Sequence, residues 1–434
     1  MVKGALQPVS MDDTSVEFGD YLELLAVIGQ DFARSLDLDA TLRQSLNHIM
    51  NYVEAEAASV FLLENGDTEV VCRCCVGPVD ITGVRLAYGQ GIVGQSIEDN
   101  ACLMVRDAQS DPRFASMVDD STGFRTKSIL CAPLSVQGQR LGAMELINKR
   151  SADGQFNERE RQALQALAAS AAMAIINSEM TKAMIEQERV QRELELAAEM
   201  QASLLPARQP PPFPVNGVNL PARTVSGDFY DYFGLWDGRI CFNLGDVSGK
   251  GINAALLMAK TSSLYRCLGK TIHDPGKLLG LVNREICETV TRGMFVTMVG
   301  GIYDPGTGVV RMANAGHEPP LWLTRDGAFE EFPAEAPPLG ISPDIFPNAR
   351  FPERELHLNQ GSLYIFSDGV TEGRVVDDSM LGVDGLKEML IELSDRPAAN
   401  RLDAITGKFM NTGRPLHDDL TIMVIEDQSD ASGP

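Results

Sequence analysis

The chain has 434 residues, 44% hydrophobic and 22% charged, which excludes wholesale disorder and allows two or three domains. Acidic residues outnumber basic ones by 60 to 37, a net charge of −23, so charge excludes non-specific binding to nucleic acid or to an anionic membrane. There is no apolar leader and no uncharged apolar run of about 18 residues, and eight cysteines are too dilute for a disulfide framework, so the expectation is a reduced, soluble, cytoplasmic protein.

Residues 1–20 read as a loose tail. From Tyr21 to Val53 apolar residues recur at helical spacing: Leu22, Leu25, Ile28, Phe32 and Leu36, then Leu42, Leu46, Ile49 and Val53. Strands are expected at Ala58 to Leu63 and Glu69 to Val76, joined by Glu64-Asn65-Gly66-Asp67, then at Ala101 to Arg106, Ser128 to Gln137 and Arg140 to Asn148. Gly138-Gln139 reads as a hairpin turn. Glu158 to Ser178 is helical and Ala-rich. On an alternating strand Cys72 and Cys74 share one face and Cys75 takes the other. With no His or second Cys pair to complete a metal site, they read as small buried hydrophobes.

A heptad pattern follows. Met173, Met180, Gln187, Leu194 and Gln201 are spaced by seven, as are Ile176, Ala183, Val190, Ala197 and Leu204. Eight of these ten positions are apolar, which predicts a coiled-coil helix over 173–205 and a parallel homodimer, the alternative being a helix packed on its own domain. The two Gln residues weaken that seam and would suit a helix that changes register or partner. The helix stops at Pro206, and Pro210-Pro211-Pro212 and Pro214 make 206–214 a stiff spacer.

The second unit is expected over 215–428, with a polar tail at 429–434. Its strands read at Arg239 to Leu244, Val296 to Tyr303, Val309 to Asn314, Pro320 to Thr324, Ser362 to Ser367 and Leu420 to Ile425. Its helices read at Ile252 to Leu268, Pro275 to Thr291, Gly385 to Ser394 and Ala399 to Met410. Strands and helices in blocks predict a layered α+β fold.

Aspartates sit beside apolar strands at four places: Asp228, Asp246, Asp368 and the pair Asp418-Asp419. Any one of them reads equally well as a turn. Four in one domain favour convergence, and gathered carboxylates repel one another unless some are protonated or a cation joins them. All-oxygen ligation suits magnesium, manganese or calcium rather than zinc.

These residues carry a resemblance. The segments are Ser226-Gly227-Asp228-Phe229-Tyr230-Asp231, Gly245-Asp246-Val247-Ser248-Gly249-Lys250-Gly251, Phe295-Val296-Thr297, Ala313-Asn314-Ala315-Gly316-His317, Pro338-Leu339-Gly340, Ser367-Asp368-Gly369-Val370-Thr371-Glu372 and Asp418-Asp419-Leu420-Thr421. In this order the unit resembles the SpoIIE/RsbU-type branch of the metal-dependent (PPM, type 2C) serine/threonine phosphatases. The resemblance implies an αββα sandwich and two bridged Mn2+ or Mg2+ ions. It implies that Asp246 bridges both metals, that the carbonyl of Val247 helps to hold one, and that Asp228, Asp368 and Asp418 complete the site. Asp419 ranks lower as a ligand, Asp231 stands behind the ligands, and Arg223 is the candidate phosphate contact. Val247-Ser248 stand where related animal and plant enzymes carry a His after the bridging Asp-Gly, which leaves the general acid open. His317 reads as a structural residue rather than a catalytic one, and His417 as exposed.

The first unit, 21–178, resembles a GAF domain through Gly89-Gln90-Gly91-Ile92-Val93-Gly94, Val105-Arg106-Asp107-Ala108 with Asp111-Pro112-Arg113-Phe114, Ser128 to Leu134 and Leu141 to Lys149. The resemblance implies a small-molecule pocket on one face of an antiparallel sheet. Asn148, Lys149 and Phe156 match GAF domains that bind cyclic nucleotides, whereas Glu160-Arg161 replaces their Asp-Glu, and the Asn-Lys pair would equally tie strand to helix.

The resulting expectation is a sensor-regulated phosphoprotein phosphatase acting on a small phosphorylated anti-anti-sigma (STAS-type) protein. Two competitors remain: a GAF-regulated nucleotide cyclase or phosphodiesterase, and a non-catalytic phosphoprotein-binding sensor.

Overall fold

The computed structural model describes residues 37–64, 66, 68–210, 212–290, 293–375, 379–411 and 413–427, with Ala26, Gln30 and Phe32. The expected tails at 1–20 and 429–434, most of the 21–36 helix, and Asn65 and Asp67 of the expected turn lie outside them. The chain divides into two compact units, Met1–Gln187 and Glu188–Pro434. Among the described residues no helix is long and apolar enough to cross a membrane.

In the first unit Asp37 caps α1 (Leu38–Tyr52), its carboxylate accepting from Ala40 N at 3.1 Å. Strands β1 (Ala55–Glu64), β2 (Glu69–Val76), β3 (Arg85–Ala87), β4 (Leu103–Val105), β5 (Ile129–Val136) and β6 (Gln139–Lys149) form one antiparallel sheet, ordered β3-β2-β1-β6-β5-β4. One face packs on Leu42, Leu46 and Ile49 of α1 and on Leu164, Leu167, Ala171 and Ile175 of the long helix α4 (Glu158–Ala202). The other face carries α2 (Gly91–Asp99) through Ile92, Val93 and Ile97, and the short α3 (Met117–Thr122) follows in the connection to β5.

Two local expectations are corrected. The β5–β6 turn is Gln137-Gly138, not Gly138-Gln139: Val136 pairs with Gln139, and both turn residues have positive φ. The cysteines do not alternate. The β1–β2 register shifts between Val60, opposite Cys74, and Phe61, opposite Cys72, so Arg73 is an extra residue. Cys74 therefore joins the helix-packed core while Cys72 and Cys75 share the opposite face. All eight cysteines are free.

The Asn-Lys pair ties elements together. Asn148, at φ +58°, accepts from Lys127 N at 2.7 Å and donates to Glu56 Oε2 at 2.8 Å. Lys149 Nζ reaches Val53 O at 2.7 Å and Glu160 at 3.0 Å, joining β6 to α4. Beyond Ile175 the buried stripe of α4 ends, and Met180, Met184, Ile185 and Val190 are exposed. The helix runs unbroken past Ser178 and ends at Ala202, three residues short of the expected 205.

The second unit holds two five-stranded antiparallel sheets. The first contains β8 (Phe229–Gly234), β9 (Ile240–Val247), β10 (Val296–Asp304), β11 (Val309–Ala315) and β14 (Arg354–His357), ordered β14-β11-β10-β9-β8. The second contains β7 (Val215–Leu220), β12 (Leu321–Leu323), β13 (Phe329–Glu331), β15 (Ser362–Phe366) and β16 (Leu420–Glu426), ordered β13-β12-β15-β16-β7. Phe242, Leu244 and Val299 of one meet Ile365, Met423 and Ile425 of the other in the central core. The first sheet's outer face packs on α5 (Ile252–Gly269) and α6 (Pro275–Cys287). The second packs on α8 (Gly382–Glu392) and α9 (Ala398–Met410). This is an αββα sandwich, with the single-turn helix α7 (Asp368–Thr371) at the end of β15.

Asp231 is fully buried and grips Arg266 of α5 with both carboxylate oxygens, one at 2.6 Å from Nε. It fastens helix to sheet rather than standing behind the ligands. Arg266→Ala would leave that carboxylate buried and unpaired. Because the guanidinium is 39% exposed, the expected cost is about 2 kcal/mol, at the lower end for such pairs. Calorimetry of the full chain should show the transition of the second unit falling by a few degrees with that of the first unmoved.

Candidate functional site

The acidic residues gather at one end of the sandwich because of strand register. Phe229 pairs with Gly245, so Asp228, just before β8, and Asp246, near the end of β9, emerge side by side. In the second sheet Phe366 pairs with Ile422, and Ser367 N donates to Thr421 O at 2.9 Å, so Asp368 and Asp418-Asp419 emerge together. The sheets are joined at this edge by Thr421 Oγ1, which donates to Asp228 Oδ2 at 2.6 Å.

Asp419 has a different task from its neighbours. Its Oδ1 accepts from Ala222 N at 2.7 Å, and its Oδ2 from Ser226 Oγ at 2.8 Å and Gly227 N at 2.7 Å. Three donors leave it little capacity as a ligand; it holds the 222–227 loop against the site. Gly227 fits closely in that loop: a Cβ there would sit 3.1 Å from Val247 O and 3.4 Å from Asp246 Oδ1, so its neighbours would have to give by a few tenths of an ångström. Gly369 is required more strictly, since its Cβ would meet the Asp419 carbonyl oxygen at 1.9 Å.

Burial, then the facing Asp246, holds the Asp228 carboxyl well above the usual carboxylate range. Asp246 is pushed up to about 6 by burial and by Asp368, Asp418 and Asp419, while a hydrogen bond with Asp228 acts the other way. Asp368 is raised by burial, then by Asp418 and Glu372. Asp418 is held by Lys250 at 2.8 Å. Among the described residues no three His, Cys, Asp or Glu side chains already converge on one metal position. The carboxylates are close enough to disturb one another's ionisation without being drawn together. Their chemistry fits hard divalent cations: all oxygen, no thiolate or imidazole, and a repulsion that positive charge relieves.

Arg223 is exposed and lines a recess of about 240 Å³ with Lys250, Gly227, Asp418 and Asp419. His317 is buried, which lowers it to about 4, so it is neutral at pH 7. Its Nδ1 meets Thr297 Oγ1 at 2.9 Å, and Thr297 reaches the Asp246 carbonyl at 3.4 Å. His317 therefore supports the Asp246 backbone, and His417 is exposed.

Several participants escaped the sequence reading. Thr421, Ser226 and Lys250 lay inside quoted motifs without a role. Glu318, next to His317, is raised by burial, then by Asp368 and Glu372. Gln201 in the heptad seam clasps the Ser226 backbone, accepting from N at 2.9 Å and donating to O at 2.6 Å. The heptad pattern marks Gln201 as out of place in an apolar seam, but not that its partner is the Ser226 backbone 25 residues on.

A GAF-type sheet and an αββα sandwich with acids at one end define a GAF domain and a PPM-type phosphatase unit. The GAF domain model matches residues 37–175, and the model for stage II sporulation protein E (SpoIIE) matches 236–427. The chain is 31% identical to phosphoserine phosphatase RsbU of Bacillus subtilis (strain 168) over 244 residues, 55% of this chain and 71% of that protein. It is also 31% identical to Protein IcfG of Synechocystis sp. over 228 residues, 46% of this chain but only 35% of IcfG. The SiaA-PP2C domain of Pseudomonas aeruginosa aligns with TM-score 0.49 at 18% identity, covering 56% of this chain and 98% of that one. The chain belongs to the SpoIIE/RsbU-type family of PPM serine/threonine phosphatases, with a GAF domain ahead of the phosphatase domain.

Thr421→Val removes the donor to Asp228 while keeping the side chain's shape. Loss of such a supporting bond should weaken Mn2+ binding about 10–100-fold. Titration by calorimetry reads this directly, and unchanged affinity would detach Thr421 from the site.

Proposed function

We propose that the C-terminal unit hydrolyses phosphoserine or phosphothreonine on a partner protein, with two Mn2+ or Mg2+ ions held by this acidic edge. The observation that carries the reading is that Asp228 and Asp246 leave one sheet at the same edge where Asp368 and Asp418 leave the other, with the carboxyls of Asp228, Asp246 and Asp368 raised by burial and by neighbouring acids. Asp246 would be the central ligand, the Val247 carbonyl an additional one, and Asp228, Asp368 and Asp418 would complete the set that holds the ions. When bound, the cations supply Lewis acidity: an acidified water for in-line attack on phosphorus and positive charge opposite the phosphoryl oxygens.

The chain's own residues prepare and orient that chemistry. Thr421 fixes one Asp228 oxygen, and Asp419 fixes the loop that passes over Val247. Lys250, paired with Asp418, and Arg223 at the recess rim bring positive charge to an otherwise acidic opening, where the phosphate enters. His317 is not the leaving-group acid: it is buried, neutral and turned to Thr297.

The substrate proposed is a small phosphorylated anti-anti-sigma (STAS-type) protein, a reading supported by the likeness to a phosphoserine phosphatase. The exposed apolar positions Met180, Met184 and Val190 on α4 support a parallel homodimer. The GAF unit is the proposed sensor.

Asp246→Asn should lower Mn2+-dependent phosphate release from a phosphoserine STAS protein by about 10³-fold or more, the scale of losing a central catalytic group. Full activity in that variant, or turnover of ATP or cyclic nucleotides instead of the phosphoprotein, would overturn the reading. Val190→Lys should shift sedimentation towards monomer. Deleting residues 1–178 should change the phosphatase rate; an unchanged rate, whatever small molecule is added to the full chain, would remove the sensor role.

A further inference from the structure

The GAF sheet face away from α1 and α4 encloses a cavity of about 800 Å³, counting the space at its mouth. Ser59, Phe61, Ile129 and Glu145 lie along its sheet wall, and Phe114 and Phe124 lie opposite in the connection that carries α3. The lining is mainly apolar, the composition of a small-molecule site. None of the described lining residues is Lys, Arg or His.

Two carboxylates border this space, and they are not equivalent. Asp119 of α3 is fully engaged: it accepts from Thr126 N at 2.8 Å, Thr126 Oγ1 at 2.7 Å and Gln109 Nε2 at 3.1 Å. Glu145 of β6 is only 7% exposed, and its hydrogen bond from Ser59 Oγ is long, at 3.5 Å. No described Lys or Arg forms an ion pair with it. The register sets Glu145 between Ser59 on β1 and Cys131 on β5. The titratable groups around it are Cys131, Cys72 and Cys75 on the sheet and Asp119 on α3, all neutral or negative. Burial pushes its carboxyl up to about 7. A buried carboxyl with one weak partner is costly and lacks a donor.

We infer that this cavity binds a small organic cation, an amine or amidine head on an apolar body, with its N–H groups donated to Glu145 and its body against Phe61, Phe114 and Phe124. The same lining disfavours an anion, so a cyclic nucleotide would bring its phosphate towards two acids and no base. When Glu145 is protonated, binding moves its proton to solvent and leaves a carboxylate–ammonium pair. The inference concerns the cavity and stands apart from the phosphatase reading, because its test reads binding rather than turnover.

The test uses the full chain and a charge series of near-equal shape: benzamidine, benzamide and benzoate, with cAMP and cGMP alongside. Calorimetry and ligand-observed NMR are expected to rank the cation above the neutral amide and the amide above the anion. Benzamidine should bind about tenfold or more tighter than benzoate, the scale of one buried charge-assisted pair. Glu145→Gln should reduce that preference to less than about threefold while leaving the melting temperature near that of the unsubstituted chain. Were that variant unfolded, the charge order on the unsubstituted chain would still decide. Equal affinities, a reversed order, no binding of benzamidine at 10 mM, or tighter binding of cAMP or cGMP would each overturn the inference.

Discussion

The phosphatase unit depends on holding like charges together in a place where water cannot fully separate them. Asp228 and Asp246 come from one sheet and Asp368 and Asp418 from the other, so their proximity exists only when both sheets are packed. The repulsion is carried by the central core, by the Thr421–Asp228 bond between the sheets and by the three donors that Asp419 receives from the 222–227 loop. The arrangement stores binding capacity for cations: the electrostatic cost of the carboxylates is what positive charge relieves. Function and stability are therefore opposed at this edge, and the hydrophobic sandwich makes the opposition tolerable.

Much of this was legible in the chain, and the reasons are local. The β2 and β10 strands announced themselves by β-branched runs between turns, and α5 and α9 by apolar periodicity. The acids were visible because each stands where an apolar strand meets Gly or a turn. What was not legible required partners distant in sequence. A single bulge at Arg73 reversed the assignment of Cys74, because alternation has no way to register an unpaired residue. The sequence ranks Asp419 below Asp418 as a ligand without saying what Asp419 does instead. Only the folded loop shows one carboxylate consumed by backbone N–H groups and the other paired with Lys250. Strands β7 and β8 were missed, since Gly217 and the polar residues of both interrupt the hydrophobic pattern.

The GAF sheet shows how one element serves two purposes. Its helix-covered face is closed by Leu, Ile and Ala packing, and the residues that evoke cyclic-nucleotide binding are consumed there or at the strand end: Phe156 in the core, Lys149 on Glu160, and Asn148 on three backbone groups and Glu56. The opposite face keeps space, aromatic walls and one poorly satisfied carboxyl. A motif can thus survive for its structural bonds while ligand preference is set by different residues, which is why fold likeness alone does not name a ligand.

The size of the opening at the acidic edge bears on what enters it. The recess there, lined by Arg223, Lys250, Asp418 and Asp419, is shallow and open to solvent, and too small to enclose a whole small molecule. Selectivity must then come from the surface around the recess, where a protein substrate has area to offer and a free metabolite does not. A net charge of −23 works against every phosphorylated ligand at long range, while within a Debye length the local charges of Arg223 and Lys250 beside the recess count for more. Repulsion of this kind is itself a source of discrimination: a phosphorylated ligand must make favourable contacts elsewhere on the surface before it can approach an acidic edge.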